Sequence, residues 1–325
     1  MRAPAFWWQA PGLCSTALAP LGAIYGAIAG ARMQRAGAPA DVPVICIGDP
    51  TVGGAGKTPA AIAAAKTLIA RGRRPYFLTR GYGGREAGPL VLDPAKHGAA
   101  EVGDEPLLLA AIAPVVVSAD RVAGAKLAAQ SGADVIVMDD GFQNPALEKN
   151  LSLLVIDAKG GAGNGRVFPA GPLRAPLMQQ LERANAVVLI GEGEAGEQVA
   201  RRANRVLRAS IVPDANAVAA LKGKSLLAYA GIGRPEKFFA TLESIGGNII
   251  ERRAFPDHHG FSVEEANALL AAAQNRHLTL VTTEKDLARM RGNAALGQLA
   301  QASLSLPITL RFQDESALEA LLTSI

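Results

Sequence analysis

The sequence predicts an α/β protein in which a mostly parallel sheet of the P-loop type is flanked by helices. A second, smaller α/β domain follows that sheet, and an apolar helix precedes it. Three observations predict this: strand-like and helix-like segments alternate past residue 40, a glycine-rich loop follows the first strand, and a second alternating series begins near residue 226. Such alternation is typical of parallel sheets with helices on both faces. With 325 residues, 49% of them apolar, the chain is long enough for two cored domains.

The first forty residues form the apolar segment, and no charged side chain occurs between residues 3 and 31. Pro11 and Gly12 interrupt the apolar stretch that a secretory signal requires, and Leu13 ahead of Cys14 does not fit a lipoprotein signal. Pro20 and three glycines dilute the apolar character that a membrane-spanning helix requires. A cleaved signal and a spanning helix are therefore both disfavoured.

Apolar residues recur at helical spacing in this segment, at Leu18, Leu21, Ile24, Tyr25 and Ile28. The pattern favours a helix that either lies at a membrane surface or docks on the core of the protein. We predict residues 1–40 to be a membrane-proximal helical segment.

Two series of strands and helices follow. In the first, residues 41–215, strands are predicted at 42–47, 76–79, 115–118, 135–138, 153–157 and 187–190, with helices at 59–70 and 121–131. In the second, residues 216–325, strands are predicted at 226–230, 249–255 and 278–283, with helices at 235–245 and 263–274. The domain boundary is placed between the two series, within residues 209–224.

Charge and cysteine content narrow the class of function. A net charge of +4 fits an anionic substrate or a membrane surface, and it fits an ordinary basic protein equally well. Cys14 and Cys46 lie in dissimilar contexts without metal-type spacing, which indicates a reducing compartment and no disulfide framework. The sequence contains no aromatic and basic tract of the kind that binds single strands, so no nucleic acid is expected, and no obligate protein partner is inferred.

The loop TVGGAGKTP, residues 51–59, follows the first predicted strand directly. Backbone N–H groups at such a strand–helix junction favour phosphate, Lys57 can reach the terminal phosphates, and the Thr58 hydroxyl can ligate Mg²⁺. Thr51 stands where the usual pattern has glycine, and a plain glycine-rich turn is the alternative. The predicted nucleotide-binding residues are Thr51, Val52, Gly53, Gly54, Ala55, Gly56, Lys57 and Thr58.

Two other motifs contain adjacent carboxylates. Asp139 and Asp140 end the apolar run VIVMDDGFQ, where adjacent acids favour a nearby cation, although a turn could also use them. Asp104 and Glu105 in GDEP open a helical run and could simply cap it. The loop DHHG carries His258, and a histidine paired with an aspartate between two domains makes a plausible base for deprotonating a hydroxyl.

Taken together, these motifs resemble the tetraacyldisaccharide 4′-kinases of lipid A synthesis. The matching segments are TVGGAGKTP at 51, TRGYGG at 79, GDEP at 103, ADR at 119, DDGFQ at 139, GPLR at 171, AGIGRPEKFF at 230, FPDHH at 255 and TTEKD at 282. The resemblance implies an enzyme that uses ATP and Mg²⁺ to phosphorylate the 4′-hydroxyl of tetraacyldisaccharide 1-phosphate, giving lipid IVA. It also implies a peripheral or monotopic protein at the cytoplasmic face of the bacterial inner membrane, with residues 41–215 as the kinase domain.

The resemblance also implies roles for single residues. Asp104 would be the base, paired with His258, while Lys57 and Thr58 would hold phosphates and Mg²⁺. The metal and its water shell would be completed by Glu105, Asp139, Asp140 and Gln143, and transferring charge would be stabilised by Arg121 and Arg174.

The chain departs from the family pattern at three places. Asp49 and Pro50 replace an asparagine and an apolar residue before the loop, Asn144 replaces a histidine, and Ala175 replaces the glutamate after GPLR. The residues that hold the acceptor's 1-phosphate have no motif of their own. Basic candidates near the predicted cleft are Arg73, Arg74, Arg80 and Arg85.

Two functions of other classes compete with this interpretation. A membrane-associated regulatory ATPase would also use an unusual glycine-rich loop, commonly with an extra lysine near its start, but no lysine precedes Lys57. A non-catalytic lipid-binding module with a vestigial loop does not need the intact Gly-Lys-Thr sequence or the paired aspartates.

Overall fold

The fold class predicted from the sequence is confirmed in a computed structural model, which describes residues 3–325. The strands are β1 Val44–Gly48, β2 Pro75–Thr79, β3 Leu90–Val91, β4 Val115–Val117, β5 Val135–Asp139, β6 Leu151–Asp157, β7 Ala186–Ile190, β8 Val206–Pro213, β9 Ser225–Ala230, β10 Asn248–Ala254, β11 Thr279–Thr282, β12 Ser303–Ser305 and β13 Ile308–Phe312.

Helices connect these strands. They are α1 Leu13–Ala17, α2 Ala19–Met33, α3 Lys57–Ala70, α4 Ala99–Val102, α5 Asp104–Ala110, α6 Arg121–Gln130, α7 Leu177–Arg183, α8 Glu194–Ala200, α9 Ala215–Leu221, α10 Pro235–Ser244, α11 Val263–Asn275, α12 Glu284–Met290, α13 Gly297–Ala302 and α14 Glu315–Thr323, with short 3₁₀ helices at Ala5–Trp8 and Ala294–Leu296.

The larger sheet has nine strands in the order β13-β8-β7-β6-β1-β5-β2-β4-β3. All neighbouring pairs are parallel except β13 with β8 and β3 with β4, which are antiparallel and lie at the two edges. Strand β1 lies in the interior of the sheet, paired with β5 on one side and β6 on the other. In sheets of this kind ligands bind beyond the carboxyl ends of the strands, so the loop after β1 lies where a ligand is expected.

Both faces of the large sheet are covered by apolar cores. Alternate residues of β1 point to opposite faces, so Ile45 and Ile47 join one core while Val44 and Cys46 join the other. On the first face, α3 contributes small alanines that let the helix lie close to the sheet. Because both faces are buried, β1 is apolar along its whole length, and this apolar run makes the strand easy to predict from the sequence.

The smaller sheet has four parallel strands in the order β10-β9-β11-β12. Strand β9 is central and buried, with Tyr229 on one core and Ala228 on the other. The carboxyl end of β9 continues into the turn at Gly231, which lies beside the histidine loop predicted from the sequence.

The end of the chain returns to the large sheet. Strand β13 pairs antiparallel with β8, and α14 packs against α3. The predicted second domain ran from 216 to 325, whereas residues 308–323 lie on the larger sheet. The reason is that β8 would otherwise be an open edge, and β13 covers it while burying Leu310 and Phe312. The division into domains otherwise stays a prediction.

Helix α2 has two different faces. Its glycines Gly22, Gly26 and Gly30 are buried, and a Cβ at Gly22 would lie 2.8 Å from the carbonyl oxygen of Val167, so only glycine allows this close docking. The opposite face leaves apolar side chains in solvent, with Ile28 65% exposed. None of the helices within residues 3–325 combines the length and apolar character needed to cross a membrane. Helix α2 is therefore docked on the protein through one face and apolar on the other.

Candidate active site

The glycine-rich loop lies between β1 and α3, as the sequence predicts. Gly56 precedes the helix with φ of 98°, a left-handed conformation that favours glycine, and α3 begins at Lys57. Space is open around Gly53 and Gly54, where an added Cβ would meet no atom within 4 Å. The amide of Val52 donates to the Pro172 carbonyl over 2.7 Å, so the GPLR segment braces the loop. The positive end of the α3 dipole therefore faces an accessible, glycine-lined space.

Lys57 lies among carboxylates at the start of α3. Its Nζ donates to Asp49 Oδ2 over 2.8 Å and lies 3.8 Å from Asp140 Oδ1. Burial lowers the pKa of Lys57, but the two carboxylates outweigh burial, so the pKa ends above its ordinary value. The ammonium group is therefore held in its charged form beside the loop.

Arg174 joins the same group of charges. Its Nη2 lies 3.2 Å from Asp49 Oδ1, its Nη1 lies 3.4 Å from Asp140 Oδ1, and its Nε donates to the Thr51 carbonyl over 3.0 Å. Asp49 is completely buried, so this residue, noted above only as a departure from the family pattern, is the shared partner of Lys57 and Arg174. Two cations and two carboxylates thus meet at the base of the loop.

Asp139 ends β5 with a buried carboxylate that is 1% exposed, and its Oδ1 has no hydrogen-bond partner. Burial, followed by the charges of Glu105 and Asp140, raises the pKa of Asp139 to about 8. A buried carboxylate oxygen without a partner is unfavourable unless a cation binds it. This oxygen is therefore suited to metal binding.

Thr58 and Glu105 lie on the other side of the loop. The Thr58 hydroxyl donates to Glu105 Oε1 over 3.5 Å, and Lys285 Nζ lies 2.5 Å from the same oxygen. Among the described residues no group of three or more histidine, cysteine, aspartate or glutamate side chains forms a metal site by itself. Mg²⁺ commonly takes only one or two carboxylates and completes its shell with water and phosphate oxygens, so the donors at Thr58 and Asp139 fit this ion.

Two other predicted residues have structural partners. Arg121 is buried at the start of α6, where its Nη1 donates to the Ser118 carbonyl and its Nε has no partner. Burial is the main cause that lowers the pKa of Arg121. Gln143 Nε2 donates to the Asp49 carbonyl over 2.8 Å and to Gln180 Oε1 over 2.9 Å. The amide nitrogen of Gln143 therefore supports the loop, and its place in a metal or water shell stays a prediction.

Asp104 and His258, 154 positions apart in the chain, meet between the two sheets. His258 Nδ1 lies 3.2 Å from Asp104 Oδ1, and the rings of His258 and Tyr82 form a T-shaped pair with centroids 5.3 Å apart. The hydrogen bond to Asp104 raises the pKa of His258 above its ordinary value, outweighing burial. Burial raises the pKa of Asp104, but His258 and then Arg289 outweigh burial, so the pKa ends well below its usual range. The N-cap of α5 is Gly103, so Asp104 is the first helical residue, and its Oδ1 also accepts the backbone N–H of Glu105 over 3.0 Å.

Sequence reasoning missed two cations of α12. Lys285 pairs with Glu105, and Arg289, one turn later, donates from Nε to Asp104 Oδ2 over 2.8 Å. Lys285 belongs to the TTEKD segment, for which no role was predicted. The sequence did contain a signal for these contacts. Two adjacent acidic residues begin one helix, and two basic residues four positions apart share a face of another helix.

The four arginines suggested for the acceptor's 1-phosphate lie at opposite ends of the sheet. Arg73 and Arg74 precede β2 and contact Asp134, which precedes β5. They lie at the amino ends of the strands, away from the loop, which argues against the role suggested for them. Arg80 and Arg85 follow β2 and lie at the same end as the loop, although Arg85 is paired with Glu101.

Comparisons with known proteins identify the family of the chain. A family model described as LpxK, tetraacyldisaccharide-1-P 4′-kinase, matches residues 14–325. A tetraacyldisaccharide 4′-kinase from Bradyrhizobium sp. strain BTAi1 is 54% identical over 325 residues, covering 99% of this chain and 94% of that protein. One from Xanthobacter autotrophicus strain Py2 is 55% identical over 330 residues, covering 99% of this chain and 96% of that protein.

A solved structure is similar along nearly the whole chain. It is the "apo" form of LpxK from Aquifex aeolicus in complex with ATP, with a TM-score of 0.73 and 27% sequence identity. The similarity covers 96% of this chain and 99% of that one.

Proposed function

The chain belongs to the tetraacyldisaccharide-1-P 4′-kinase family, and from this premise we propose how its own residues carry out the family's reaction. The protein is a lipid kinase of lipid A biosynthesis that uses ATP to phosphorylate the 4′-hydroxyl of tetraacyldisaccharide 1-phosphate, giving lipid IVA. The observation that best supports the residue roles is the contact of Thr58 with Glu105, because it joins the glycine-rich loop to the Asp104–His258 pair.

In this proposal the loop and α3 bind the phosphates of ATP through backbone N–H groups. Lys57 leaves Asp49 to contact the terminal phosphates, and Arg174, anchored on the Thr51 carbonyl, stabilises charge on the transferring group. Arg121 adds a buried positive charge near Asp140. Since phosphoryl transfer depends mainly on position and charge, these three cations supply the larger part of the expected acceleration.

Mg²⁺ would be held by the Thr58 hydroxyl and the unpartnered oxygen of Asp139, with Glu105 and Asp140 nearby. When bound, the ion neutralises charge on the β and γ oxygens of the nucleotide. Glu105, which contacts both Thr58 and Lys285, would lie beside the ion. The donor set therefore fits the metal without any further protein ligand.

Asp139→Asn should weaken the use of Mg²⁺ while leaving the protein at least as stable. The amide cannot replace a carboxylate at the metal, but in the absence of metal it matches the uncharged carboxyl group that burial favours at this position. We expect the Mg²⁺ concentration for half-maximal rate to rise, with a Tm in metal-free buffer equal to or above that of the wild type. The matched control is Asp134→Asn, which removes an ion pair to Arg73 at the other end of the sheet and should leave the Mg²⁺ dependence unchanged. An unchanged Mg²⁺ dependence in Asp139→Asn would exclude this residue as a ligand.

Asp104 and His258 would act as one unit that accepts the proton of the 4′-hydroxyl. The test of the overall reaction uses γ-labelled ATP and tetraacyldisaccharide 1-phosphate, with lipid resolved from free phosphate. Labelled lipid is expected. Labelled free phosphate without labelled lipid would instead indicate a regulatory ATPase, and neither product would indicate a lipid-binding module.

The exposed face of α2 would rest on the cytoplasmic face of the bacterial inner membrane, where ATP is present and the acyl chains of the acceptor remain in the bilayer. The face carries Leu21, Ile24, Tyr25 and Ile28, and Arg32 lies in the last turn of the helix. An apolar stripe followed by basic residues suits a helix lying in the membrane surface. The protein would therefore be peripheral or monotopic.

Removing the apolar face of α2 should weaken membrane binding. Deleting residues 1–30 tests this but also removes the docked Trp7 and Gly22, so the sharper variant is Ile24→Ser/Ile28→Ser on the exposed face. Burying an isoleucine is worth about 1.5–3 kcal/mol, so vesicle affinity should fall roughly tenfold or more, with a higher apparent KM for the lipid. Ile69→Ser/Val263→Ser, two exposed apolar residues elsewhere, is the control. Equal vesicle binding by the α2 variant and the wild type in co-sedimentation would refute membrane contact through this face.

A further inference from the structure

Arg289 connects the second sheet to the Asp104–His258 pair. It lies on α12 with a side chain only 8% exposed. Its Nε donates to Asp104 Oδ2 over 2.8 Å, and its Nη2 lies 2.7 Å from the same oxygen without hydrogen-bond geometry. Its Nη1 donates to the Gly231 carbonyl over 2.8 Å and to Asp286 Oδ1 over 2.6 Å. The guanidinium group is therefore fixed at three points.

Asp286 is itself fixed, so the orientation of Arg289 is determined by its surroundings. Asp286 Oδ1 accepts the Gly231 N–H over 3.0 Å, and its Oδ2 accepts the hydroxyls of Thr282 over 3.2 Å and Thr283 over 2.6 Å. Asp286 is completely buried. A buried arginine held by an aspartate with every oxygen occupied has little freedom to leave Asp104.

These contacts leave Asp104 with no free oxygen. Oδ2 faces Arg289, while Oδ1 faces His258 Nδ1 and accepts the N–H of Glu105 over 3.0 Å. Asp104 is 2% exposed, whereas the His258 side chain is 29% exposed. A hydroxyl that approaches from the cleft meets His258 and not Asp104. The occupied carboxylate is instead placed to fix the imidazole through Nδ1.

We propose that Arg289 is a positioning residue which holds Asp104 as the orienting partner of His258, so that His258 Nε2 takes the proton of the acceptor hydroxyl. The proposal rests on the proposed kinase function and deepens it, because the family resemblance makes Asp104 itself the base. In the proposed arrangement Nδ1 carries a proton donated to Asp104 Oδ1, and Nε2 carries the free electron pair.

The proton and the electron pairs balance in this step. The O–H bond of the acceptor breaks, its proton goes to His258 Nε2, and its oxygen forms the bond to the γ-phosphorus of ATP. The bond from that phosphorus to the bridging oxygen breaks, and ADP leaves with the electron pair. The imidazolium, stabilised by Asp104, then returns its proton to water.

Several charged or titratable groups face this pair and bear on its pH dependence. His258 faces Asp257, whose Oδ1 lies 3.8 Å from Nε2, and contacts the ring of Tyr82. The remaining groups near His258 or Asp104 are Glu105, Lys285 and Arg289. Removing the positive charge of Arg289 should favour protonated His258, so the acidic limb of the rate profile should move to higher pH.

The test uses the full-length protein with Arg289→Met, Arg289→Lys and Lys237→Met. The control is Lys237→Met, which removes a cation from a more exposed ion pair, 2.7 Å to Asp157, that does not include Asp104. Lysine at position 289 keeps one charge but cannot contact Asp104, Gly231 and Asp286 together. Histidine ¹⁵N NMR spectra report the tautomer of His258 independently of activity. The His258 signals are assigned as those that are lost in His258→Gln. The kinetic measurements are kcat, KM for ATP and the pH profile of the rate.

We expect neutral His258 in the wild type and in Lys237→Met to carry its proton on Nδ1. Arg289→Met should mix the tautomers, lower kcat about 10- to 100-fold with little change in KM for ATP, and move the acidic limb to higher pH; Arg289→Lys should fall between. A wild-type tautomer with the proton on Nε2 would overturn the proposal. A loss of kcat in Arg289→Met with unchanged His258 signals and acidic limb would also overturn it. Absence of labelled lipid from the wild type would count against the kinase function itself, while the spectra would still decide the tautomer.

Discussion

Lys57→Ala should lower the rate of phosphate transfer to the lipid by about 10²–10³-fold, the usual cost of losing one electrostatic contact with the transition state. Lys57 is the charged group at the start of α3, and its ammonium is kept charged by Asp49 and Asp140. Labelled-lipid formation at saturating ATP measures the loss. Turnover near that of the wild type, in a folded Lys57→Ala protein, would mean that the loop does not bind the nucleotide.

Stability must be separated from catalysis in this experiment. Lys57→Ala leaves the buried carboxylate of Asp49 with Arg174 as its remaining cation, and breaking a buried ion pair is strongly destabilising. Lys57→Ala/Asp49→Asn removes the stranded charge, so it should recover part of the Tm while the rate stays low. Lys66→Ala, on the exposed side of the same helix, should change neither quantity. If Asp49→Asn restored both stability and rate, the effect of Lys57 would be structural.

Asp104→Ala and His258→Ala should each lower kcat severely, by about 10²–10⁴-fold, while ATP binding persists. The two side chains contact each other, and if they act as one catalytic unit the double variant should be little worse than the poorer single variant. Single-turnover rates and ATP affinity, measured for all four proteins, complete the cycle. His259→Ala is the matched control, because that neighbouring histidine pairs with Glu265 and not with Asp104.

Independent losses in this cycle would contradict the paired role. If Asp104 only stabilised the fold and His258 were a surface residue, Asp104→Ala would lower Tm and His258→Ala would barely change kcat. The logarithms of the rate losses would then add. The cycle tests whether the two residues act together, and the tautomer of His258 decides which of them takes the proton.

Local pattern explains what the sequence could predict. Strand β1 is apolar along its length because both faces are buried, and the glycines of residues 53–56 are needed for the turn into α3, so both were readable from spacing alone. The Asp104–His258 pair came from family resemblance, since no local pattern links residues 154 positions apart. Asp104 and His258 come into contact because of the way the two sheets pack.

The remaining features depend on long-range packing. Asp49 was visible only as a departure before the loop, and its role as the partner of Arg174 requires the GPLR segment to fold against Thr51. Arg289 looks like an ordinary cation at the end of a helix until α12 is placed over α5. Strand β13 is a short amphipathic run whose partner, β8, was not predicted as a strand at all.

The pairing of β13 with β8 has a consequence for biosynthesis. Residues 214–307, which include the whole smaller sheet, separate the two strands, and a ribosome needs about 5–20 s to make them at about 5–20 residues per second. During that interval β8 has an unpaired edge, the kind of surface that recruits strands from other chains. The smaller sheet has all of its strands before the larger sheet does, so it can fold while the larger sheet is still unpaired at β8.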